Sequence, residues 1–230
     1  MKEDIVKQFT SGNFRVSIIR EECPENPADS HDGLGYLASW DNRRSLLPRK
    51  YNHIIKNAEE MGEWIEEQKG NGVPHYVLGF QYYYYGGLNF GEWDDGGWDG
   101  GWDGAIFIDL EYFIKYVDGS VPADTSKYGP ADYAAIVERM KEICVSSAQL
   151  FDCWSSGDVF RFILEQDKTD LKCRMGEYKP FSDCGIETVD SCGGYYKTEI
   201  VTEKELYKWM ADCFSVSNPA IDNIKKQMGI

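Results

Sequence analysis

The sequence predicts an α+β fold, in which antiparallel sheets carry helices packed on one face and two subdomains are possible. Three observations predict it. Short segments rich in β-branched and aromatic residues occur in pairs, and amphipathic helical segments separate the pairs. Single strands do not alternate regularly with helices, as they would in a parallel sheet. The chain has 230 residues, 42% of them hydrophobic, which suffices for a sizeable core. We expect one α+β domain over residues 1–230, with a possible subdomain boundary near 119–130.

The first half of the chain contains four predicted strands and two predicted helices. The segment 51–68 places its apolar side chains on one helical face, and the Gly-Asn-Gly sequence at 70–72 ends it. Asp109 is the expected N-cap of a short helix over 110–117. The last two strands of this half are expected to form a hairpin with a long acidic tip. The four strands are predicted at 14–20, 34–40, 75–85 and 105–108.

A connector at 119–130, rich in Gly, Pro and Ser, leads into the second half of the chain. The two helices at the C-terminal end have identifiable N-caps. Thr202 forms a capping box with Glu205, and Asn218 precedes Pro219 at the first helical position. The elements expected between the connector and these helices are a helix at 131–151, a strand at 158–165, and a strand at 186–196 interrupted at Gly193-Gly194.

Acidic residues are in large excess, and the excess is concentrated in the middle of the chain. There are 39 acidic and 24 basic residues, a formal net charge of −15 at pH 7. Residues 61–128 hold 12 acids and 3 bases. A field of this sign repels nucleic acid and anionic membranes and attracts basic surfaces. We therefore expect a basic protein as partner, no direct DNA binding and no membrane association. The N-terminus has no apolar signal-peptide segment, so we expect a cytoplasmic protein.

The run GEWDDGGWDGGWDG, at 91–104, is the most unusual stretch of the sequence. Its glycine content disfavours both a helix and a regular strand, which predicts a loop that holds indole rings and carboxylates near solvent. Exposed indoles beside like charges are unfavourable in a monomer, and a partner surface would explain them. The predicted partner-binding residues are Glu92, Trp93, Asp94, Asp95, Trp98, Asp99, Trp102 and Asp103.

Three groups of short motifs occur in order along the chain. They are Asn26-Pro27, Asp32-Gly33-Leu34-Gly35 and Arg43-Arg44; Phe90 and Trp93-Asp94-Asp95-Gly96; and Gly157-Asp158-Val159 with Asp190-Ser191-Cys192-Gly193-Gly194-Tyr195-Tyr196. Together they resemble an uncharacterised family of small proteins from phages and other mobile elements. The chain departs from that pattern at His31, where tryptophan is usual. The resemblance implies a phage-encoded accessory protein in the host cell cytoplasm, with interference with host defence among its roles.

Two other classes of function stay open at this point. A small enzyme of unknown reaction would use Cys192, Asp158 or His31, although the chain has no Walker loop, Rossmann glycine fingerprint, HExxH or GxSxG motif. A binding module would use the carboxylates at 94–103 as oxygen ligands for calcium. It would alternatively use those tryptophans and the tyrosines at 82–85 as a platform for carbohydrate. We expect no cofactor and no bound metal.

The leading hypothesis is a non-enzymatic, acidic binding protein that mimics nucleic acid. Its carboxylates would take the positions of phosphates, and its indole rings would stack where bases do. Such a protein would block a basic host nuclease or another nucleic-acid-binding defence protein, as an anti-CRISPR or anti-restriction protein does. The hypothesis requires that the indoles of the 91–104 run face outward.

Overall fold

The chain divides into two compact units. The computed structural model describes residues 4–25, 27, 34–40, 55–82, 87–93, 101–168, 181, 185–198 and 201–230. Met1–Pro24 and Gly157–Ile230 form one unit, here called the terminal unit, and Glu25–Ser156 form the other, the central unit. The boundaries between the units therefore fall after Pro24 and after Ser156, and the one expected near 119–130 is not found there. That connector joins two helices whose apolar side chains enter the same core cluster of the central unit.

The predicted α+β class with antiparallel sheets is confirmed. Every pairing of strands in the described residues is antiparallel. The strands are β1 (Ile5–Ser11), β2 (Phe14–Arg20), β3 (Tyr36–Ser39), β4 (His75–Tyr82), β5 (Leu88–Glu92), β6 (Gly104–Asp109), β7 (Val159–Asp167) and β8 (Ile186–Tyr196). The helices are α1 (Ala58–Gly70), α2 (Leu110–Tyr116), α3 (Pro130–Ser156), α4 (Glu203–Asp212) and α5 (Pro219–Gln227).

The terminal unit is a four-stranded sheet in the order β1-β2-β7-β8. Helices α4 and α5 cover one face of it, where Phe162, Met210 and Ile224 are almost completely buried. Each such side chain contributes about 1.5–3 kcal/mol by leaving water. Strand β1 was not predicted, because it is an edge strand in which Phe9 is the buried side chain and no apolar alternation marks it. Strand β8 continues through Gly193-Gly194, and the expected irregularity is present there as a shift of its register with β7, with Gly194 at φ +76°.

The central unit is a second four-stranded sheet, in the order β3-β6-β4-β5. Its two faces are both covered, which is possible because successive side chains of a strand point to opposite sides. Leu78 and Phe80 of β4 enter a core cluster with α2 and α3, whereas Val77 enters another with α1. The predicted pairing of 75–85 with 105–108 is confirmed for β4 and β6. An unpredicted strand, β5, pairs with the other side of β4.

Two helix boundaries illustrate how caps decide where a helix begins. The helix predicted at 51–68 begins at Ala58, because the Asn57 side chain accepts the backbone N–H of Glu60 and caps the first turn. Residues 51–54 lie outside the described part of the chain. The expected cap at Asp109 is confirmed: its carboxylate accepts the N–H of Tyr112, at 2.7 Å.

The capping box formed by Thr202 and Glu205 stabilises the start of α4. The Thr202 hydroxyl accepts the Glu205 N–H at 3.2 Å, and the Glu205 carboxylate accepts the Thr202 N–H at 2.9 Å. Replacing Thr202 with alanine removes one of these bonds and is expected to lower the free energy of unfolding by about 1 kcal/mol. Urea unfolding followed by far-UV circular dichroism measures the change. Thr202→Ser is the matched control and should retain nearly all of the stability; equal losses in both variants would contradict the role given to the hydroxyl.

Candidate partner-binding surface of the central unit

The tryptophan-rich segment passes from one side of β4 to the other. Strand β5 and strand β6 flank β4, so the residues that join them must cross it. The described residues at the two ends of this crossing include Trp93 and Trp102. Four of the predicted partner-binding residues are outside the described part of the chain: Asp94, Asp95, Trp98 and Asp99.

A row of small residues runs across the sheet beneath this crossing. Ala38, Ala105, Gly79 and Gly91 are opposite one another in register on the four successive strands. Trp102 lies on this row, since a Cβ atom added to Gly79 would come within 2.5 Å of the Trp102 ring. Glycine in the interior of a strand often marks such a close approach. The row therefore forms a shallow trough that accepts an indole ring.

Three indoles pack together over this trough. Trp93 and Trp102 are stacked with ring centroids 6.3 Å apart, and Trp40 meets Trp93 edge to face at 6.1 Å. The Trp40 indole N–H donates to the carbonyl oxygen of Trp102 at 2.6 Å. All three side chains are half-buried. Trp40 and Trp93 pack against the same core cluster that contains Met61 of α1.

The expectation that the indoles project toward solvent is therefore wrong for Trp93 and Trp102. The sheet has two apolar faces, and the long helix α3 covers one of them. Trp93 packs on the other face together with α1, and Trp102 stacks on Trp93, so both rings are half-buried. The loop predicted from glycine content over 91–104 is found among the described residues at Trp93 and at 101–103, whereas Gly91 and Glu92 belong to β5 and Gly104 begins β6. Glycine content gave no information about where the rings pack. The position of Trp98 lies outside the described residues.

Asp103, another predicted partner-binding residue, is hydrogen-bonded to the backbone of neighbouring strands. Its carboxylate accepts the backbone N–H of Tyr82 at 2.8 Å, and its own N–H donates to the carbonyl oxygen of Phe80 at 2.9 Å. Its carbonyl oxygen accepts the N–H of Trp40 at 3.0 Å. These bonds hold the end of the crossing segment between β3 and β4. Asp103 is thus a structural residue of the central unit.

Glu92 is the predicted partner-binding residue whose carboxylate is most exposed among those described. Its carboxylate forms an ion pair with Lys141 of α3 at 2.6 Å, and the Lys141 ammonium lies 6.0 Å from the centre of the Tyr76 ring. The hydrogen bond from Lys141 lowers the pKa of the Glu92 carboxyl, which therefore stays ionised at neutral pH. Burial, followed by the nearby Glu92 charge, raises the pKa of the Tyr76 hydroxyl. Glu92 is consequently a fixed, charged acceptor.

A groove of about 420 Å³ lies beside Glu92 on the central unit, and we call it the Glu92 groove. Its volume falls within the range of small-molecule sites. Helix α1 and strands β4 and β5 supply its walls. Most of its polar lining was missed by sequence analysis, because these residues are far apart in the chain and belong to no motif. The lining residues include Lys69, His75, Tyr76, Val77, Glu92 and Trp93.

The residues proposed for an enzyme do not form a common site in the described part of the chain. Cys192 is exposed on β8, opposite Phe162 of β7. Asp158 precedes β7 and lies 3.6 Å from Arg20 in an exposed ion pair. The rise of a strand separates positions 158 and 162 by roughly 13 Å, too far for a nucleophile and its base. His31 lies outside the described residues.

No cluster of three or more metal-ligating side chains occurs within the residues that the structure describes. Three of the four carboxylates considered for calcium fall outside those residues. The fourth, Asp103, is occupied by the backbone N–H of Tyr82. The described helices also include none that is long and apolar enough to cross a membrane.

Neither a protein-family model, nor a curated protein, nor a solved structure matches this chain. The fold and the chemistry of its surfaces are therefore the grounds on which a function is proposed.

Proposed function

We propose that this chain is a non-enzymatic, acidic binding protein, encoded by a phage or another mobile element, that blocks a basic nucleic-acid-binding protein of host defence in the host cytoplasm. The observation that carries the proposal is the separation of charge between the two units. The central unit holds 22 acidic and 10 basic residues, whereas the terminal unit holds 17 and 14. The excess of acids over bases is thus 12 in one unit and 3 in the other.

Charge kept only for solubility has no reason to collect in one unit, and the size of the units does not explain the difference: the central unit has 132 residues and a fourfold larger excess of acids, whereas the terminal unit has 98 residues. Collected charge produces a directed field, which attracts a basic surface and orients it as it approaches. The mimic of a nucleic acid needs such a field over one surface. A carboxylate-rich central unit meets that requirement without any catalytic group.

Helix α1 contributes ordered carboxylates to the acidic surface proposed for the central unit. Glu59, Glu63 and Glu67 are exposed along it, spaced four residues apart, so they share one side of the helix. Glu66 is also exposed and pairs with Lys69 at 2.9 Å. A row of carboxylates separated by one helical turn, about 6 Å, has a spacing similar to that of successive phosphates along a nucleic-acid strand.

The packing of Trp93 and Trp102 changes the mechanism proposed from the sequence. Rings that are stacked on the sheet stabilise the central unit, and this is their main role rather than contact with a partner. The proposed binding therefore depends mainly on carboxylates, and it should weaken steeply with salt because screening acts on exposed charges.

A retention experiment tests the proposal. Basic proteins of a bacterial lysate freed of nucleic acid are collected on heparin and passed over the immobilised chain. We expect a retained protein that is released both by rising salt and by added duplex DNA, since a mimic and DNA occupy the same surface. Retained proteins that DNA does not displace, or the absence of any retained protein, would contradict the proposal.

Charge reversal locates the binding surface. Asp94, Asp95 and Asp99 are changed together to lysine, and Asp103 is left in place because it bonds the backbone of Tyr82. We expect retention of the basic protein to fall by roughly tenfold or more at moderate salt. The measurement is the dissociation constant for the retained protein, obtained at two salt concentrations.

The matched control makes the same change of charge in the terminal unit. It converts three exposed acids to lysine: Glu203, Asp212 and Asp222. This variant has the same net charge as the first, so a nonspecific effect of charge would weaken both equally. Equal weakening would contradict a surface in the central unit, and thermal unfolding of both variants establishes that each is folded.

A further inference from the structure

The Glu92 groove contains ordered polar groups whose charges cancel. Glu92 is paired with Lys141 at 2.6 Å, and Lys69 is paired with Glu66 at 2.9 Å. The groove therefore offers one carboxylate and one ammonium group, each already neutralised by a partner. A ligand that carries a full charge gains little there, because each charge of the groove already has its counter-ion.

The hydrogen-bonding capacity of the groove is nevertheless substantial. The Glu92 carboxylate has two oxygens, and the ion pair with Lys141 involves Oε1. The His75 Nδ1–H donates to the carbonyl oxygen of Val73 at 2.8 Å, so Nε2 is the acceptor of the neutral ring. The Tyr76 hydroxyl is buried beside Glu92, so it is not accessible from the groove. Two acceptors thus line one groove.

Trp93 gives the same groove an aromatic wall. The ring is held in place by its stack with Trp102 and its edge contact with Trp40. The Trp64 ring contacts the His75 ring edge to face, with centroids 5.7 Å apart, and so restricts the orientation of the imidazole. A wall that is already fixed loses little conformational entropy when a ligand binds.

We propose that the Glu92 groove binds a saccharide, with one sugar ring placed against Trp93. The C–H groups on the apolar face of a sugar carry partial positive charge, which the face of an indole attracts. The hydroxyls at the ring edge donate to the Glu92 carboxylate and to His75 Nε2. This site goes beyond the proposed function and does not depend on it, since it uses local hydrogen bonds rather than the net charge of the unit.

A neutral polyol fits these groups better than the arginine side chain of a basic protein. A guanidinium would have to compete with Lys141 for Glu92 and would approach the ammonium of Lys69. A sugar hydroxyl accepts and donates, so it satisfies carboxylate, imidazole and ammonium groups without repulsion. The volume of about 420 Å³ accommodates a disaccharide-sized ligand.

The test is a titration with four disaccharides, namely maltose, cellobiose, lactose and N,N′-diacetylchitobiose, on the Trp209→Phe background. Trp209 is 45% exposed in the terminal unit, so its removal eliminates a solvent-exposed indole that would contribute an unrelated signal. We expect a saturable change in tryptophan fluorescence at millimolar concentrations with at least one of them. Saturation-transfer NMR with the same sugar should place the ring protons against an aromatic side chain.

Two variants connect that signal to the groove. Glu92→Gln should weaken binding about tenfold or more, because hydrogen bonds to a charged group are the stronger kind. Trp93→Leu should remove the fluorescence change. The matched control is Glu142→Gln, which breaks another exposed 2.6 Å ion pair, with Arg139 outside the groove, and should leave affinity unchanged.

Four results would overturn the inference. They are no saturable response to any of the four sugars, equal affinity in the parent and Glu92→Gln, equal loss in Glu142→Gln, and saturation by arginine amide in place of a sugar. If Trp93→Leu fails to fold, Glu92→Gln and Glu142→Gln decide the question alone. Because retention of a basic protein is measured separately, failure here leaves the proposed function standing, and the converse also holds.

Discussion

Replacing Gly104 with alanine is expected to lower the free energy of unfolding of the central unit by about 3 kcal/mol or more. A Cβ at this position would lie 2.7 Å from Cε1 of the buried Phe80 ring and closer still to the carbonyl oxygen of Ala38. The ring is completely buried, and the carbonyl belongs to β3, which is paired with β6 at this point. Neither atom is free to withdraw, so the strands must separate.

The measurement is urea unfolding followed by tryptophan fluorescence. Six of the seven tryptophans lie in the central unit, so the signal reports on that unit. Gly62→Ala is the matched control, because nothing lies within 4 Å of a Cβ added to Gly62 in α1. That change should raise stability by up to about 1 kcal/mol through helix propensity. A Gly104→Ala protein with the parent urea midpoint would contradict the packing described for β3 and β6.

The Trp102 ring, which lies in the trough over Gly79, is expected to make a large contribution to the stability of the central unit. Trp102→Ala is expected to lower the free energy of unfolding by about 3 kcal/mol, since the ring covers Gly79 and stacks on Trp93. Gly79→Ala alone should cost a comparable amount, because the added Cβ meets the Trp102 ring at 2.5 Å. The two changes made together should cost much less than their sum, because removing the ring makes room for the methyl group.

This double-mutant cycle distinguishes a structural indole from one that is kept for a partner. If Trp102 were displayed for binding, Trp102→Ala would leave stability unchanged and Gly79→Ala would be additive with it. Trp102→Phe is the conservative control: it keeps a ring over the trough and removes an indole N–H that is buried without a partner among the described residues. We expect it to lose far less stability than the alanine variant.

The packing of Trp93 and Trp102 implies that carboxylates, rather than these indole rings, carry the proposed binding. Rings that hold the central unit together are costly to redirect to a partner, and the Asp103 carboxylate is already bonded to the backbone N–H of Tyr82. The proposed interface is therefore electrostatic, and its salt dependence is its most direct signature. The Glu92 groove is chemically different, because its charges are paired.

Local features of the fold were predicted well. The caps at Asp109, Thr202 and Asn218 are confirmed, because a cap depends on residues two or three positions apart. Strand β2 was predicted over the residues that form it, because β-branched content marks a strand that is buried on the sheet. Strand β1 was missed, because an edge strand with one buried side chain carries no periodic signal.

The candidate site was predicted only in part. Glu92 and Trp93 were identified from the composition of one segment, and both line the groove. Their neighbours Lys69, His75 and Lys141 were not identified, because a helix, a strand and a second helix bring them together only after folding. Composition also misplaced Trp102, whose position depends on a glycine 23 residues earlier in the chain.

The fold class, the caps and the excess of negative charge in the middle of the chain were all predictable from the amino-acid sequence. Each of these follows from residues close together in the chain or from simple counts. Which indoles are half-buried, which carboxylates are paired and where a groove lies became known from the folded chain alone. Burial and pairing depend on strand register: the trough exists because Ala38, Ala105, Gly79 and Gly91, distant in sequence, are opposite one another in the sheet.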